Sequence, residues 1–452
     1  MIQRASDDAR RPVRRVRFTP PAGEAMAMFA IALLLRVGYA LMIHGLEPVP
    51  SSDSVTYDTV AWNLARAMGY QMEAGGVFYP TAFVPPGLPF VLSLLYRMVG
   101  HSFLAAVLLM TVFGAMVPPL VRQLGRAMFG PVVGRTAGWL AVVHPLLVFF
   151  SAYVMTEPLF SVLLLVALLA SVSWVKTPRA RRALGVGFLW GLAVLTRPTA
   201  LPLPFVVAVW VWVPLGFMLS PRERLRQLAL VFTGVLLVIA PWTIRNAVTL
   251  HAFVPVTTGG GRSLLDSNNA LVWTDPALKG GAIAVLSTEP WATRFAGLSE
   301  VELDHKAGLE AGAFLREHWR EWPGAALAKV GRLWRWNATA ANTGDWFTGR
   351  QGLSGLLKAI DPLVIWSLLM WPLALWGVWR TWRGTRRYFQ LLPLHVVAMV
   401  TLGTMVYWGA LRLRVPVEPM VLLYAAAGIA DLFWRARAKR AGLALISTTP
   451  KR

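Results

Sequence analysis

The chain has 452 residues, 56% hydrophobic and only 15% charged, with a mean hydropathy of +0.54. Soluble domains run near a quarter charged, so a soluble multidomain enzyme is excluded. The absence of Cys removes disulfides, thiolate chemistry and Cys-based metal sites, and the +22 formal charge lies in short clusters between apolar runs, which sets nucleic-acid binding aside.

The first apolar segment, 26–43, lacks a small-residue cleavage site and is followed by many more, so it reads as a retained helix and not a signal peptide. Stretches long enough to cross a bilayer follow at 103–121, 137–155, 158–175, 184–197, 199–219, 228–244, 361–379, 390–410 and 416–434. The fold class expected is an all-α polytopic membrane protein with about ten transmembrane helices. Its 21 Trp and 16 Met suit interfacial belts and adaptable packing.

Lys and Arg fix the orientation. Basic clusters occur at Arg10/Arg11/Arg14/Arg15/Arg17, Arg122/Arg126/Arg135, Lys176/Arg179/Arg181/Arg182, Arg222/Arg224/Arg226, Arg380/Arg383/Arg386/Arg387 and Arg435/Arg437/Lys439/Arg440. Ten spans place all of these, with both termini, on one side, expected to be the cytoplasm. Most acidic residues then fall outside. The apolar run 87–99, after Pro85-Pro86, is too short to span and is placed along the outer surface.

The domain reading is a basic tail over 1–25, a membrane module over 26–244 with an outer loop at 44–102, an outer lobe over 245–360, C-terminal helices over 361–434 and a second basic tail over 435–452. Within the lobe, 299–321 and 324–337 are helix-like. No fixed-period repeat or low-complexity tract is present.

Chemistry-bearing residues gather at the outer ends of the spans. Asp53, Tyr57 and Asp58 follow the first span directly. Asp53 suits a general base for an attacking hydroxyl or amine; the alternative is that Ser52 or Asp53 caps a helix. Glu157 lies in Thr156-Glu157-Pro158, where a Thr cap and first-turn Pro would suffice structurally, yet a carboxylate at membrane depth is expensive enough to imply function. Arg197, Arg245, Arg262, Arg412 and Arg414 oppose the positive-inside trend and suit a lipid phosphate, whereas snorkelling would explain any one alone. The Gly259–Gly261 amides could add to such an anion site, but the run lacks the Gly-Lys-Ser/Thr of a nucleotide P-loop. Arg36, inside the first span, has no assigned partner; pairing with an outer carboxylate is one option. No metal-ligand spacing appears among the His residues, no cofactor is called for, and a divalent metal stays open.

An ordered series of short segments resembles the bacterial GT-C glycosyltransferases that use polyprenyl-phosphate-linked sugars, relatives of the protein O-mannosyltransferases and the lipid A aminoarabinose transferase. The series runs Asp53-Ser54-Val55-Thr56-Tyr57 with Asn63-Leu64-Ala65, Pro85-Pro86-Gly87-Leu88-Pro89, Thr156-Glu157-Pro158-Leu159-Phe160, Leu195-Thr196-Arg197-Pro198-Thr199, Pro241-Trp242-Thr243-Ile244-Arg245-Asn246 and Arg412-Leu413-Arg414-Val415-Pro416-Val417-Glu418-Pro419. The resemblance implies two juxtamembrane helices in the first outer loop, Asp53 as base, and Glu157 orienting the acceptor or base. It also implies inverting displacement of polyprenyl phosphate, with outer arginines stabilising the leaving group. Tyr57, Asp58, Arg197, Arg245, Arg262, Arg412 and Arg414 are the substrate-binding candidates. Val84 stands where the family pattern has Lys, Glu or His, and Asp53-Ser54 stands where several relatives have Asp-Glu, which weakens a metal-ligand reading. No appended soluble domain follows the last span, which argues against a large protein acceptor.

The expected function is transfer of a sugar to an outer-face acceptor in the bacterial inner membrane: a lipopolysaccharide, another envelope glycan, a glycolipid or a protein. A flippase for the same lipid, or an O-antigen polymerase or ligase, are the alternatives. The sugar is not legible.

Overall fold

The computed structural model describes residues 22–51, 53–216, 219–335, 362–384 and 387–440. Most of the N-terminal tail, the end of the lobe (336–361) and the C-terminal end from 441 lie outside these.

Among the described residues, each stretch read as a span is mostly helical, in one piece or broken. In chain order the first loop and membrane helices are α1 (Ala22–His44), α2 (Asp53–Ala65), strands β1 (Gln71–Ala74) and β2 (Val77–Pro80), α3 (Gly87–Val99), α4 (Phe103–Met128), α5 (Pro131–Val143), α6 (Pro145–Phe150), α7 (Thr156–Lys176), α8 (Ala180–Thr196), α9 (Leu203–Gly216) and α10 (Pro221–Leu250). The lobe carries α11 (Gly260–Ser267), α12 (Ala270–Thr274), α13 (Trp291–Arg294), α14 (Glu300–Glu317) and α15 (Trp322–Leu333). The chain then continues through α16 (Pro362–Trp382), α17 (Arg387–Gln390), α18 (Leu392–Val406), α19 (Leu411–Arg414) and α20 (Glu418–Arg440). Six helical stretches are long and apolar enough to cross a membrane on their own: Gly23–His44, Phe103–Met128, Thr156–Lys176, Pro221–Leu250, Pro362–Trp382 and Leu411–Ala438. The remaining stretches read as spans form shorter or broken helices.

Small residues let the helices touch. A side chain at Gly187 would run into the Val231 carbonyl and one at Gly234 into the Leu184 carbonyl, which is why α8 and α10 lie so close together. Gly377 and Gly428 do the same between α16 and α20.

The third span is broken at His144-Pro145, since Pro145 has no N–H to donate back into α5. Arg36 fills the gap. Its guanidinium, fully buried, donates to the Val142 and Ala141 carbonyls at 3.1 and 3.2 Å and to Ala32 of its own helix. Arg36 therefore caps a helix end, and the option that it pairs with an outer carboxylate is not what the structure shows.

The basic ends gather. Glu24 binds Arg122 and Arg135 at 2.8 and 2.6 Å, Lys176 donates to the Ala127 carbonyl, and Asp431 binds Arg380 and Arg435 at 3.0 and 2.7 Å. Asp53, Glu157 and Arg197 lie at the opposite helix ends.

The first outer loop holds α2, a two-stranded hairpin and α3. The hairpin turns on Gly75 and Gly76, both at positive φ (59° and 80°), the geometry a two-residue turn needs. The run 87–99 is helical as well: Leu88, Leu92 and Tyr96 are buried, while Phe90, Leu94 and Met98 are exposed along the other edge. An apolar edge of this kind suits a helix lying in the membrane interface.

The lobe's α14 opens with a capping box, Ser299 with Glu302, and packs Ala307 and Ala311 against Leu265, Val285, Trp291 and Phe295. Glu300, at the start of α14, accepts from Thr81 Oγ1 (2.5 Å), Ala82 N–H (2.9 Å) and Thr258 Oγ1 (2.5 Å), tying the lobe to the first loop.

Candidate active site

Five residues from four segments meet at the helix ends opposite the basic clusters. Asp53 begins α2 and Tyr57 follows one turn later on the same face. Arg412, in the one-turn α19, donates to Asp53 Oδ2 at 2.5 Å while its guanidinium lies 4.8 Å from the centre of the Trp408 ring. Glu157 is the second residue of α7, and Arg197 terminates α8. Their ion pair is 2.8 Å long and buried, with the Glu157 side chain 2% and the Arg197 side chain 10% exposed. Gly87 brings α3 against this point, because any side chain there would strike Thr196.

Tyr57 lies within the electrostatic reach of both pairs. Burial pushes its pKa up; Asp53 and Glu157 push it further, and Arg412 and Arg197 only partly pull it back. Tyr57 thus stays protonated, a hydrogen-bond donor among two carboxylates and two guanidinium groups. Two atoms of the cluster are buried with no protein partner among the described residues: Glu157 Oε2 and Arg412 Nε. One is an acceptor and the other a donor, so a ligand carrying both a hydroxyl and an anion would satisfy them.

Of the residues read as possible caps, Ser52 lies outside the described residues. Asp53 is engaged by Arg412, and the N-cap of α7 is Met155 with no side-chain cap bond, leaving the Thr156 hydroxyl 3.5 Å from Arg197.

The remaining sequence candidates lie elsewhere. Asp58, one residue from Tyr57, faces away and accepts from Tyr96 Oη (2.5 Å) and His101 Nε2 (3.0 Å), bracketing α2 to α3 and to the turn that follows it. Arg245 lies within α10, not in a loop, and donates to the Thr81 and Tyr70 carbonyls at 2.7 and 2.8 Å. Arg262 is 3.8 Å from Asp266 and covers Phe83. The amides of the Gly run already have an anion: Asp304 takes the Arg262 N–H at 3.0 Å and that of Gly261. Arg414, fully buried, is committed to Glu418, which also meets His144 at 3.2 Å.

Sequence reasoning missed Glu300, Lys329 and the His144–Glu418 contact. The i, i+4 spacing of Arg414 and Glu418 was the one available signal. Among the described residues no group of three His, Asp or Glu could hold a metal ion, and both Asp53 and Glu157 face guanidinium groups.

Residues 84–244 match the family model for dolichyl-phosphate-mannose-protein mannosyltransferases. No curated protein sequence matches the chain. Among solved structures, the archaeal oligosaccharyltransferase AglB from Archaeoglobus fulgidus, in complex with an inhibitory peptide and a dolichol-phosphate, superposes with a TM-score of 0.57 at 15% identity, over 94% of this chain and 52% of that one. Its apo form gives 0.55 at 14% identity, over 92% and 51%. The fold is that of a GT-C glycosyltransferase. This chain spans about half the length of that oligosaccharyltransferase. ArnT from Cupriavidus metallidurans bound to undecaprenyl phosphate is a weaker likeness, at a TM-score of 0.43 and 14% identity, over 93% and 80%. The GT-C fold and the family match agree with the resemblance carried by the short ordered motifs, and the chain is a multi-pass membrane protein.

Proposed function

We propose that the protein transfers a sugar from a polyprenyl-phosphate carrier to an envelope acceptor (lipopolysaccharide, another glycan, a glycolipid or a protein) with inversion at the anomeric carbon. The observation carrying this reading is the convergence of Asp53, Tyr57, Glu157, Arg197 and Arg412 at one set of helix ends. The dolichol-phosphate held by the oligosaccharyltransferase of the same fold supports a lipid phosphate as the donor's leaving group.

Arg412 and Arg197 receive the donor phosphate. As Arg412 turns to the phosphate, Asp53 is released to take the proton of the acceptor hydroxyl. The acceptor oxygen attacks the anomeric carbon, the bond from that carbon to the phosphate oxygen breaks, and polyprenyl phosphate departs with the electron pair. The guanidinium groups stabilise the growing negative charge, an effect that is large where water is scarce. Glu157, held by Arg197, offers its free oxygen to a sugar or acceptor hydroxyl, and Tyr57 donates to the phosphate or the sugar. Asp58, Arg245, Arg262 and Arg414 shape the site without reaching the donor. The protein sits in the bacterial inner membrane with this site facing the periplasm and both termini in the cytoplasm, as the basic clusters direct.

Binding of undecaprenyl phosphate to the purified protein in lipid nanodiscs, followed by native mass spectrometry, tests the donor assignment. Retention by the wild type over an excess of phosphatidylglycerol, with loss of about tenfold in Arg412→Gln, is expected. Equal retention by both proteins would remove Arg412 from the donor site.

A further inference from the structure

The segment carrying Arg412 is short and its middle is only half-buried, yet its guanidinium must be held within hydrogen-bond reach of Asp53. Leu411 and Val415 anchor it in the membrane core, and a second hold comes from the lobe. Helix α18 ends at Val406, and its last carbonyls have no partners within the helix. Lys329, projecting from lobe helix α15, fills them. Its Nζ donates to the Val406 carbonyl at 3.1 Å and the Met405 carbonyl at 3.5 Å, and to Asn268 Oδ1 at 2.7 Å. Three donors thus meet three acceptors, in a side chain with no exposure.

Asn268, at the end of α11, returns its Nδ2 to the same Val406 carbonyl at 3.1 Å. Three residues on, Gly409 donates its N–H to the Gly280 carbonyl at 3.0 Å, and a side chain at Gly409 would collide with the Lys329 carbonyl. Arg332 fastens the Gly280 turn in place through the Lys279 carbonyl at 2.7 Å and the Ala277 carbonyl. Between these two grips sits Trp408, whose ring underlies the Arg412 guanidinium.

We infer that Lys329 is a positioning residue for the donor-phosphate site: with Asn268 and Gly280 it clasps residues 405–409 to the outer lobe and so sets the guanidinium of Arg412 opposite Asp53. The lobe then acts on the phosphate site through residues 405–409. A cation at a helix C-terminus is favoured by the helix dipole, which gives the lysine an electrostatic as well as a geometric role. Burial acts against the dipole and pushes the ammonium down to about 7.

The inference rests on the assignment of Arg412 to the donor phosphate, and two readouts separate the two. The full-length protein in nanodiscs is compared as wild type, Lys329→Met, Asn268→Ala, Arg412→Gln and Lys329→Met/Arg412→Gln. Amide hydrogen exchange over 405–412 reads the clasp with no ligand present. It is expected to quicken about tenfold in both Lys329→Met and Asn268→Ala, with the α4–α5 hairpin unchanged. Undecaprenyl phosphate affinity is expected to fall about tenfold in Lys329→Met, and the double variant is expected to lose no more than Arg412→Gln alone.

Unchanged exchange over 405–412, or a fully additive loss of affinity in the double variant, would overturn the proposal. If Lys329→Met does not fold, Asn268→Ala, which keeps the lysine's packing, decides the exchange result. Faster exchange in a protein whose wild type ignores undecaprenyl phosphate upholds the clasp and removes only the lipid assignment.

Discussion

Replacing Arg197 by Met takes away the partner of a carboxylate that is 2% exposed and whose Oε2 already has no protein partner among the described residues. Removing one member of a buried ion pair typically costs about 3–5 kcal/mol, because the other charge is left uncompensated. Arg197→Met is therefore expected to destabilise by about 3 kcal/mol. Adding Glu157→Gln removes the second charge and is expected to restore most of the loss, giving a coupling of roughly 2 kcal/mol. Unfolding in mixed micelles titrated with SDS, followed by the fluorescence of the 21 Trp, supplies these numbers. Two single losses that simply add would refute the view that the charge of Glu157 is what Arg197 compensates.

Arg36→Met leaves the Ala141 and Val142 carbonyls open at the Pro145 break and is expected to cost about 1–3 kcal/mol in the same titration; no loss would mean the break satisfies itself. Glu300→Ala releases Thr81, Ala82 and Thr258 together, and faster hydrogen exchange at 78–84 and 256–260 is the expected sign that lobe and loop have separated. Lys329 supplies a pH dependence of definite sign. Its native value of about 7 lies below the unfolded value near 10.4, so between the two the unfolded chain holds one more proton and stability rises with pH, by up to about 1.4 kcal/mol per unit. The penalty for burying the charge is complete below pH 7. Lys329→Met is expected to flatten the stability profile over pH 7–10, and an unchanged slope there would show that the lysine titrates normally.

The helices were legible because hydrocarbon thickness and the distribution of Lys and Arg act on composition, which any stretch of sequence displays. The resemblance was legible because short motifs kept their order along the chain. What sequence could not separate was one arginine from another. Arg197, Arg245, Arg262, Arg412 and Arg414 all read as cations at outer helix ends, but backbone carbonyls, a ring and a glutamate claim three of them, and all of those partners except Glu418 lie far along the chain. Arg36 is the same case: its partners are carbonyls released by a proline more than a hundred residues away. The Gly259–Gly261 amides looked open to a ligand because nothing local revealed that Asp304 would occupy them. The β-hairpin escaped because four-residue strands carry too little alternation to register. Glu300 reads as an ordinary first-turn acid, and only the packed lobe shows that it holds the first loop.

The central claim is that Asp53 activates an acceptor for attack on a polyprenyl-phosphate-linked sugar. Mass spectrometry of envelope glycolipids and glycans tests it most directly, comparing cells with the native protein and cells with Asp53→Asn at equal membrane abundance. The account predicts that one glycan lacks a single sugar in the variant while its lipid-linked donor accumulates, which would name both substrates. Identical profiles would contradict it, leaving the Asp53–Arg412 pair a structural contact and moving the flippase and polymerase readings forward.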